Sequence, residues 1–398
     1  MSKLFQPIRV GTFELAQRIA MAPLTRYRAD SDHVHTDIGV TYYSQRASAP
    51  GTLLITEATF ISPKASGYAN VPGIWNSAQV AAWRKITDEV HAKGSRIFMQ
   101  LWNLGRAAIE DNLKAKGFDV VSASDIPMEE GAVKPRALTI QEIEAFLKEY
   151  KVAARNAIEA GFDGVEVHGA NGYLVDQFIQ DVSNKRTDRY GGSIENRSRF
   201  ALEVVKAISE EIGAERTAIR LSPWNNFQGM KMKDPKPQFT HLIKALKEYN
   251  LAYLHFVVSR NPDEDIEFAL EAWNNHTPAI VSSGFDNENS RKALDEDYAK
   301  YDTLIAYGRH FIANPDLVFR LKNNLELNPY DRFTFYTPQD PHGYIDYPFY
   351  SEAEPKAVEG KVVQSEKDAV GTKNEVVGSD EPHVLTKVVS RPALEVSA

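Results

Sequence analysis

A closed α/β barrel, a single (β/α)8 or TIM barrel, is the fold class this sequence predicts, on three observations. Short runs rich in Val, Ile and Leu alternate with amphipathic stretches of helical period, the pattern of a parallel sheet covered by helices. Eight such pairs fit into about 330 residues, within the range of one barrel with insertions. Polar residues with chemical potential gather just after the strands' C-terminal ends, the face on which such barrels bind ligands. A doubly wound two-domain fold shares the alternation, but no linker-like stretch divides the chain.

The strands are predicted at Arg18–Ala22, Leu53–Glu57, Arg96–Gln100, Gly164–Val167, Ala218–Leu221, Tyr253–Val257, Ala279–Ser282 and Thr303–Tyr307. Between and after them, helical periodicity covers Ala78–Ala92, Ile140–Ala160, Asn196–Ile212, Pro237–Tyr249, Asn287–Leu294 and Pro315–Asn324. Thr139 with Glu142 three residues on is a capping-box pattern, and Gly94, Gly161 and Gly213 follow helix ends. Residues 103–137, after the third strand, are expected to cap the ligand-binding face; Asp119–Ser122 reads as a β-like piece within them. The Pro- and charge-rich stretch Arg260–Asp265 is expected to be a mobile lid. Aromatic residues stop at Tyr350, so the barrel domain is assigned to residues 1–352 and a disordered tail to 353–398.

The net charge of −8 leaves no basic excess for a nucleic-acid partner. No apolar run approaches the ~20 residues of a membrane helix, and the start lacks the apolar core of a secretory signal. Cysteine is absent, which removes disulfides, thiolate metal sites, iron–sulfur clusters and a Cys nucleophile. No His-x-x-x-His occurs, and no metal site is predicted. The expectation is a cytoplasmic protein, monomeric or homodimeric.

The fourth strand ends in His168-Gly169-Ala170-Asn171-Gly172-Tyr173. A His and an Asn can grip a carbonyl or phenolate oxygen together, and a neighbouring Tyr can deliver a proton. The first strand ends in Pro23, Leu24 and Thr25, whose hydroxyl can hydrogen-bond a planar heterocycle. Small Ala58 after the second strand admits a flat ring. Gln100 matches a pyrimidine edge with its donor and acceptor, and Trp102 can wall an apolar pocket. Arg220, buried at the end of the fifth strand, needs an anionic partner or a ligand. Gly284 and Phe285 after the seventh strand, and Gly308 and Arg309 after the eighth, occupy the loops that commonly hold a phosphate. Asn314-Pro315-Asp316 then reads as a helix start with Pro in its first turn.

Together these motifs resemble the Old Yellow Enzyme family of flavin-dependent ene-reductases. The likeness is carried by Met21-Ala22-Pro23-Leu24-Thr25-Arg26, Gln100-Leu101-Trp102, the His168–Tyr173 run, Asp188-Arg189-Tyr190-Gly191-Gly192-Ser193, Arg220-Leu221-Ser222-Pro223 and Gly308-Arg309. Gly343-Tyr344-Ile345-Asp346-Tyr347-Pro348 is similar to the fungal and plant branch. The resemblance implies non-covalent FMN, NADPH as reductant and an α,β-unsaturated carbonyl compound as the small-molecule substrate. It implies that Pro23, Leu24, Thr25, Ala58, Gln100 and Arg220 contact the isoalloxazine, and that Gly284, Phe285, Gly308 and Arg309 hold the phosphate end. His168 and Asn171 would bind the substrate's oxygen and Tyr173 would protonate the α-carbon. Trp102, Phe227 and Tyr336 would shape the substrate pocket. The competing expectation is a flavin-binding isomerase or phenol-binding protein whose reductase activity is lost or redirected. Phe285 stands where some relatives have Asn, which implies a backbone-only phosphate contact there.

Overall fold

The computed structural model describes residues 2–351 apart from Pro262; the tail expected at 353–398 lies outside them, as does part of the predicted lid. Eight parallel strands close on themselves: β1 Ile19–Met21, β2 Leu53–Ile55, β3 Arg96–Trp102, β4 Gly164–Gly169, β5 Thr217–Leu221, β6 Tyr253–Val257, β7 Ala279–Ser282 and β8 Thr303–Tyr307. Each pairs with the next, and β8 returns to β1 with Ile305 opposite Ile19. All eight lie where the sequence places them. β3 runs two residues past its expected end because Thr59–Phe60 adds a parallel rung beside Leu101 and Trp102. β4 extends to Gly169, so His168 is part of the strand and lies in register with Arg220 on β5.

The helices cover the barrel through one apolar face each. Ile140–Glu159 starts with the anticipated capping box, Thr139 accepting from the Glu142 amide. It buries Ile143, Phe146, Tyr150, Ala153, Ala154 and Ala157. Full burial of one such large apolar side chain is worth about 1.5–3 kcal/mol. It stops at Gly161, whose φ is +92° and whose missing Cβ would lie 2.6 Å from the Thr87 hydroxyl, so only glycine fits. The predicted Pro315 helix start is displaced. A short helix, Arg309–Ala313, begins directly after β8, and the next begins at Leu317 with Asp316 as its N-cap. Pro315 therefore lies in the joint between the two, where its fixed φ and missing N–H suit a break.

Two features were not foreseen. An antiparallel hairpin, Ile8–Val10 with Phe13–Leu15, turns at Gly11 and Thr12. It packs its apolar side on the interior residues Phe98, Ala218, Ala252 and Tyr253 and closes the N-terminal end of the barrel. At the other end of the chain, residues 334–344 return to β1. Three buried arginines grip their carbonyl oxygens: Arg26 donates to Phe335 and Gly343, Arg28 to Thr334, Phe335 and His342, and Arg46 to Tyr344. Tyr344 stacks flat on Tyr42 at 4.0 Å.

The insertion 103–137 folds over the C-terminal face. Leu104, Ala107, Ala108, Leu113 and Val120 join Trp102 and Tyr173 in one apolar cluster. Arg106 ties it to the loop after β5, donating to the carbonyl oxygens of Ile126 and Pro127 and to that of Gln228. Its β-like piece is shorter than expected, Val121–Ser122, pairing in parallel with Arg136–Ala137. Among the described residues, no helix is long and apolar enough to cross a membrane.

Candidate active site

β4 delivers His168 into the barrel mouth and then turns sharply. Asn171 and Gly172 adopt φ of +57° and +78°. Two hydrogen bonds pin this turn: the Asn171 N–H donates to Ser222 Oγ at 2.8 Å, and the Gly172 N–H to Asp176 Oδ2 at 2.9 Å. A Cβ at Gly172 would lie 2.8 Å from Met230 and 2.9 Å from Gln228, which explains the glycine. The chain emerges at Tyr173, whose ring meets His168 and Trp102 edge-on, each at 4.7 Å. His168, Asn171 and Tyr173 are only 5%, 2% and 4% exposed.

Burial dictates their protonation. Desolvation, then the nearby Arg220 and His255 charges, hold the His168 imidazole well below its ordinary pKa, so it is neutral. Desolvation, reinforced by Tyr68, Tyr27 and Tyr336, pushes the Tyr173 phenol well above its ordinary value, so it keeps its proton. Asp176, beneath the turn, is raised by burial to about 7.

A polar chain crosses the barrel floor under these groups. Gln100 donates to Glu166 Oε1 at 2.7 Å, and Glu166 Oε2 meets His255 Nδ1 at 2.8 Å. His255 Nε2 meets Ser282 Oγ at 2.9 Å, and Arg220 donates to the same oxygen at 3.0 Å. Burial alone would raise the Glu166 carboxyl, but His255, Arg220 and Gln100 together hold it below the usual range. Glu166 is thus the buried anion that offsets Arg220, two strand positions before His168 on the same interior face.

On the far side of the mouth, a cavity of about 1010 Å³ opens between the loops after β6, β7 and β8. Gly284, Phe285, Gly308 and Arg309 line it, joined by Arg260, His310 and Tyr330. Gly284 has φ +76°, and a Cβ there would meet Arg260 alone, at an ordinary contact distance of 3.5 Å. Arg309 lies over the Tyr330 ring at 5.9 Å.

The structure therefore sorts the predicted residues into two groups. Gln100, Trp102, His168, Asn171, Tyr173 and Arg220 stand at the ends of β3, β4 and β5. Ala58 packs with Trp102 and Tyr173. Pro23, Leu24 and Thr25 follow β1, and the Arg26 N–H beside them donates to Glu57 at the end of β2. Phe227 is brought to the β4 turn through its carbonyl, which approaches Gly172, and Tyr336 through its ring, 5.8 Å from Tyr27. The second group is the glycine and arginine set around the cavity. Several buried polar atoms between and within the groups lack a protein partner, among them Arg220 Nε, His168 Nδ1, Trp102 Nε1 and His310 Nδ1. A buried unpaired group costs about 1–3 kcal/mol, and these atoms can be satisfied by a ligand with a polar edge and an anionic arm. That is the chemistry of FMN.

Sequence reasoning missed Tyr27, Tyr68, Glu166, Asp176, Asn225, Gln228, His255 and Ser282. Tyr27 carries a signal only in structure, a φ of +58° that is unusual for a bulky residue. Glu166 and His255 were detectable as charged residues in the middle of buried strands.

Comparison with known proteins supplies the context. A family profile described as the NADH:flavin oxidoreductase / NADH oxidase family matches residues 3–328. A chanoclavine-I aldehyde reductase of Penicillium roqueforti is 55% identical over 357 residues, spanning 88% of this chain and 97% of the relative. An NADP-dependent oxidoreductase of Aspergillus flavus is 52% identical over 364 residues, spanning 88% and 97%. A Claviceps fusiformis relative, 46% identical over 362 residues and covering 87% and 95%, is named a probable inactive dehydrogenase. The crystal structure of Old Yellow Enzyme from a Pichia species superposes with a TM-score of 0.84 at 44% identity, covering 89% of this chain and 95% of that one.

Proposed function

This chain belongs to the NADH:flavin oxidoreductase / NADH oxidase family, in its Old Yellow Enzyme branch, and from that premise we propose that it reduces the C=C bond of α,β-unsaturated carbonyl compounds. It is an NAD(P)H-dependent flavin oxidoreductase; the proposal concerns its cofactor, oxidant and residue roles. FMN, when bound and reduced by NADPH, would supply the hydride that the alkene accepts.

The observation that carries the reading is the state of the β4 end. A neutral His168 and the Asn171 amide offer hydrogen bonds to one oxygen, and a protonated Tyr173 stands against them. Hydrogen bonds to a carbonyl oxygen strengthen as negative charge builds on it, so the pair lowers the barrier more than it tightens ground-state binding. Tyr173 then gives its proton to the α-carbon. Arg220 and Gln100 would hold the ring's polar edge, where Arg220 would offset negative charge, and Thr25 would hydrogen-bond the ring from β1. Pro23, Leu24 and Ala58 pack on it. Gly284, Phe285, Gly308 and Arg309 take the phosphate. Trp102, Phe227 and Tyr336 wall the substrate side, with Tyr27 and Tyr68 completing an aromatic lining. The names of the aldehyde reductase relatives favour an enal as the carbonyl partner.

The test is an anaerobic absorbance titration: NADPH first, then 2-cyclohexenone or an α,β-unsaturated aldehyde. Bleaching of the visible flavin band followed by its return supports both half-reactions. Bleaching without return on any such oxidant would move the protein to the second reading, a flavin-binding isomerase or phenol-binding protein, which the relative named inactive favours. Absence of a flavin band after added FMN would sink both readings.

A further inference from the structure

The amide of Asn171 has two faces, and the ligand can meet only one. The loop after β5 decides which. The Phe227 backbone N–H donates to Asn225 Oδ1 at 2.9 Å. A backbone N–H can only donate, so this contact fixes which end of the Asn225 amide faces it. The opposite end, its NH2, donates to Asn171 Oδ1 at 2.6 Å. With Asn171 Oδ1 engaged, the NH2 end of Asn171 is the one left for a ligand. The backbone is fixed from the same loop: Ser222 Oγ accepts the Asn171 N–H, and Gln228 Nε2 donates to the Asn171 carbonyl at 2.8 Å.

We propose that Asn225 is a positioning residue that sets the polarity of Asn171, making it a pure donor toward the ligand and tuning the site for oxygens that accept hydrogen bonds. This inference rests on the reading above that His168 and Asn171 receive the substrate's oxygen. Its content is directional. An amide free to turn can present its oxygen instead, and that oxygen repels a carbonyl or phenolate.

The substitution Asn225→Asp separates orientation from simple packing. A carboxylate accepts from both the Phe227 N–H and the Asn171 NH2, so it turns the Asn171 amide around and aims Oδ1 at the ligand. The probe is cyclohexanone, a neutral ketone without an alkene, competing with 2-cyclohexenone in the FMN-loaded enzyme. Being neutral, it does not read the added charge as a phenolate would. Its inhibition constant should rise about 30-fold or more in Asn225→Asp, on the scale of a buried acceptor left facing an acceptor. In Asn225→Ala, where the amide merely becomes free, it should rise only a few-fold. Flavin content and melting temperature should match the unsubstituted protein in both. Equal constants in the two variants, or a smaller loss in the aspartate, would overturn the proposal. If Asn225→Asp does not fold, Asn225→Ala carries the test through an absorbance titration with 4-chlorophenol. A roughly three- to tenfold weaker phenol–flavin band supports the inference, and unchanged affinity defeats it. An unsubstituted enzyme that binds neither ketone nor phenol removes the proposed function and this inference together. One that binds both while the variants match it removes this inference alone.

Discussion

The two sides of the barrel mouth solve opposite problems. Around β7 and β8 the site is open, and Gly284, Gly308, Arg260 and Arg309 stand among acidic and aromatic residues about a cavity of about 1010 Å³. Around β4 and β5 it is closed, and the turn after β4 is pinned by its neighbours: Asn171 by Ser222, Gln228 and Asn225, and Gly172 by Asp176. The open side can rely on charge and backbone donors because an anionic group needs attraction more than exact placement. On the proposed function the closed side would place a few hydrogen bonds within fractions of an ångström, and the groups that would meet the substrate, His168, Asn171 and Tyr173, are neutral. On the proposed function, recognition of the cofactor's arm would be electrostatic and the chemistry geometric.

The comparison is sharpened first by Tyr173→Phe. Reoxidation by enone should slow by about 10²- to 10⁴-fold, the usual range for a lost general acid, while flavin reduction by NADPH changes little. Stopped-flow measurement of each half-reaction separates them, and equal losses would remove Tyr173 from the acid role. Next in size, His168→Ala should cost about 10²- to 10³-fold in enone turnover, the scale of one oxyanion donor, and weaken the phenol–flavin band. On the open side, Gly284→Ala forces a side chain into φ +76°, a strain of about 1–2 kcal/mol. FMN affinity by fluorescence quenching should fall by about tenfold, with phenol affinity of the reloaded enzyme unchanged. A loss of phenol affinity there would mean the two sides are coupled.

The last effect concerns pH and reads stability, not binding or turnover. Asp176 titrates near 7 in the folded protein, against 3.8 for a free side chain. Between those values the folded state keeps a proton that the unfolded chain has released, so this group makes stability fall as pH rises through the window. Asp176→Asn lacks the titration. Its stability relative to the parent should therefore rise from about pH 4 to 7, by at most about 1.4 kcal/mol per unit, and level off above. Denaturant melts at several pH values give the slope; a flat difference would mean Asp176 is not raised.

Much of this was legible in the chain. All eight strands could be placed because a fully buried parallel strand is an apolar run bounded by turn residues. The catalytic candidates were legible because His168, Asn171, Tyr173 and Arg220 are polar residues at the ends of such runs. Hairpin Ile8–Leu15 escaped notice although Gly11-Thr12 between alternating residues is a hairpin signal; its strands are only three residues each. Asn225, Gln228 and Tyr68 were hidden for a different reason. They act from loops, whose partners are set by the close approach of two strand ends and not by any period in the sequence. The polar floor of Glu166, His255 and Ser282 depends on strand register, which a sequence fixes only once the barrel is closed.

The three arginines that grip the returning C-terminal segment have a consequence in time. Arg26 binds the carbonyl of Gly343, 317 positions further along the chain. The segment it holds carries Tyr336, which the proposed function makes one wall of the pocket. A chain made from its N-terminus can assemble strands and helices as they appear, yet the pocket stays one wall short until these late residues are free to fold back. A newly made molecule would thus have its barrel strands before it has the whole of the proposed pocket.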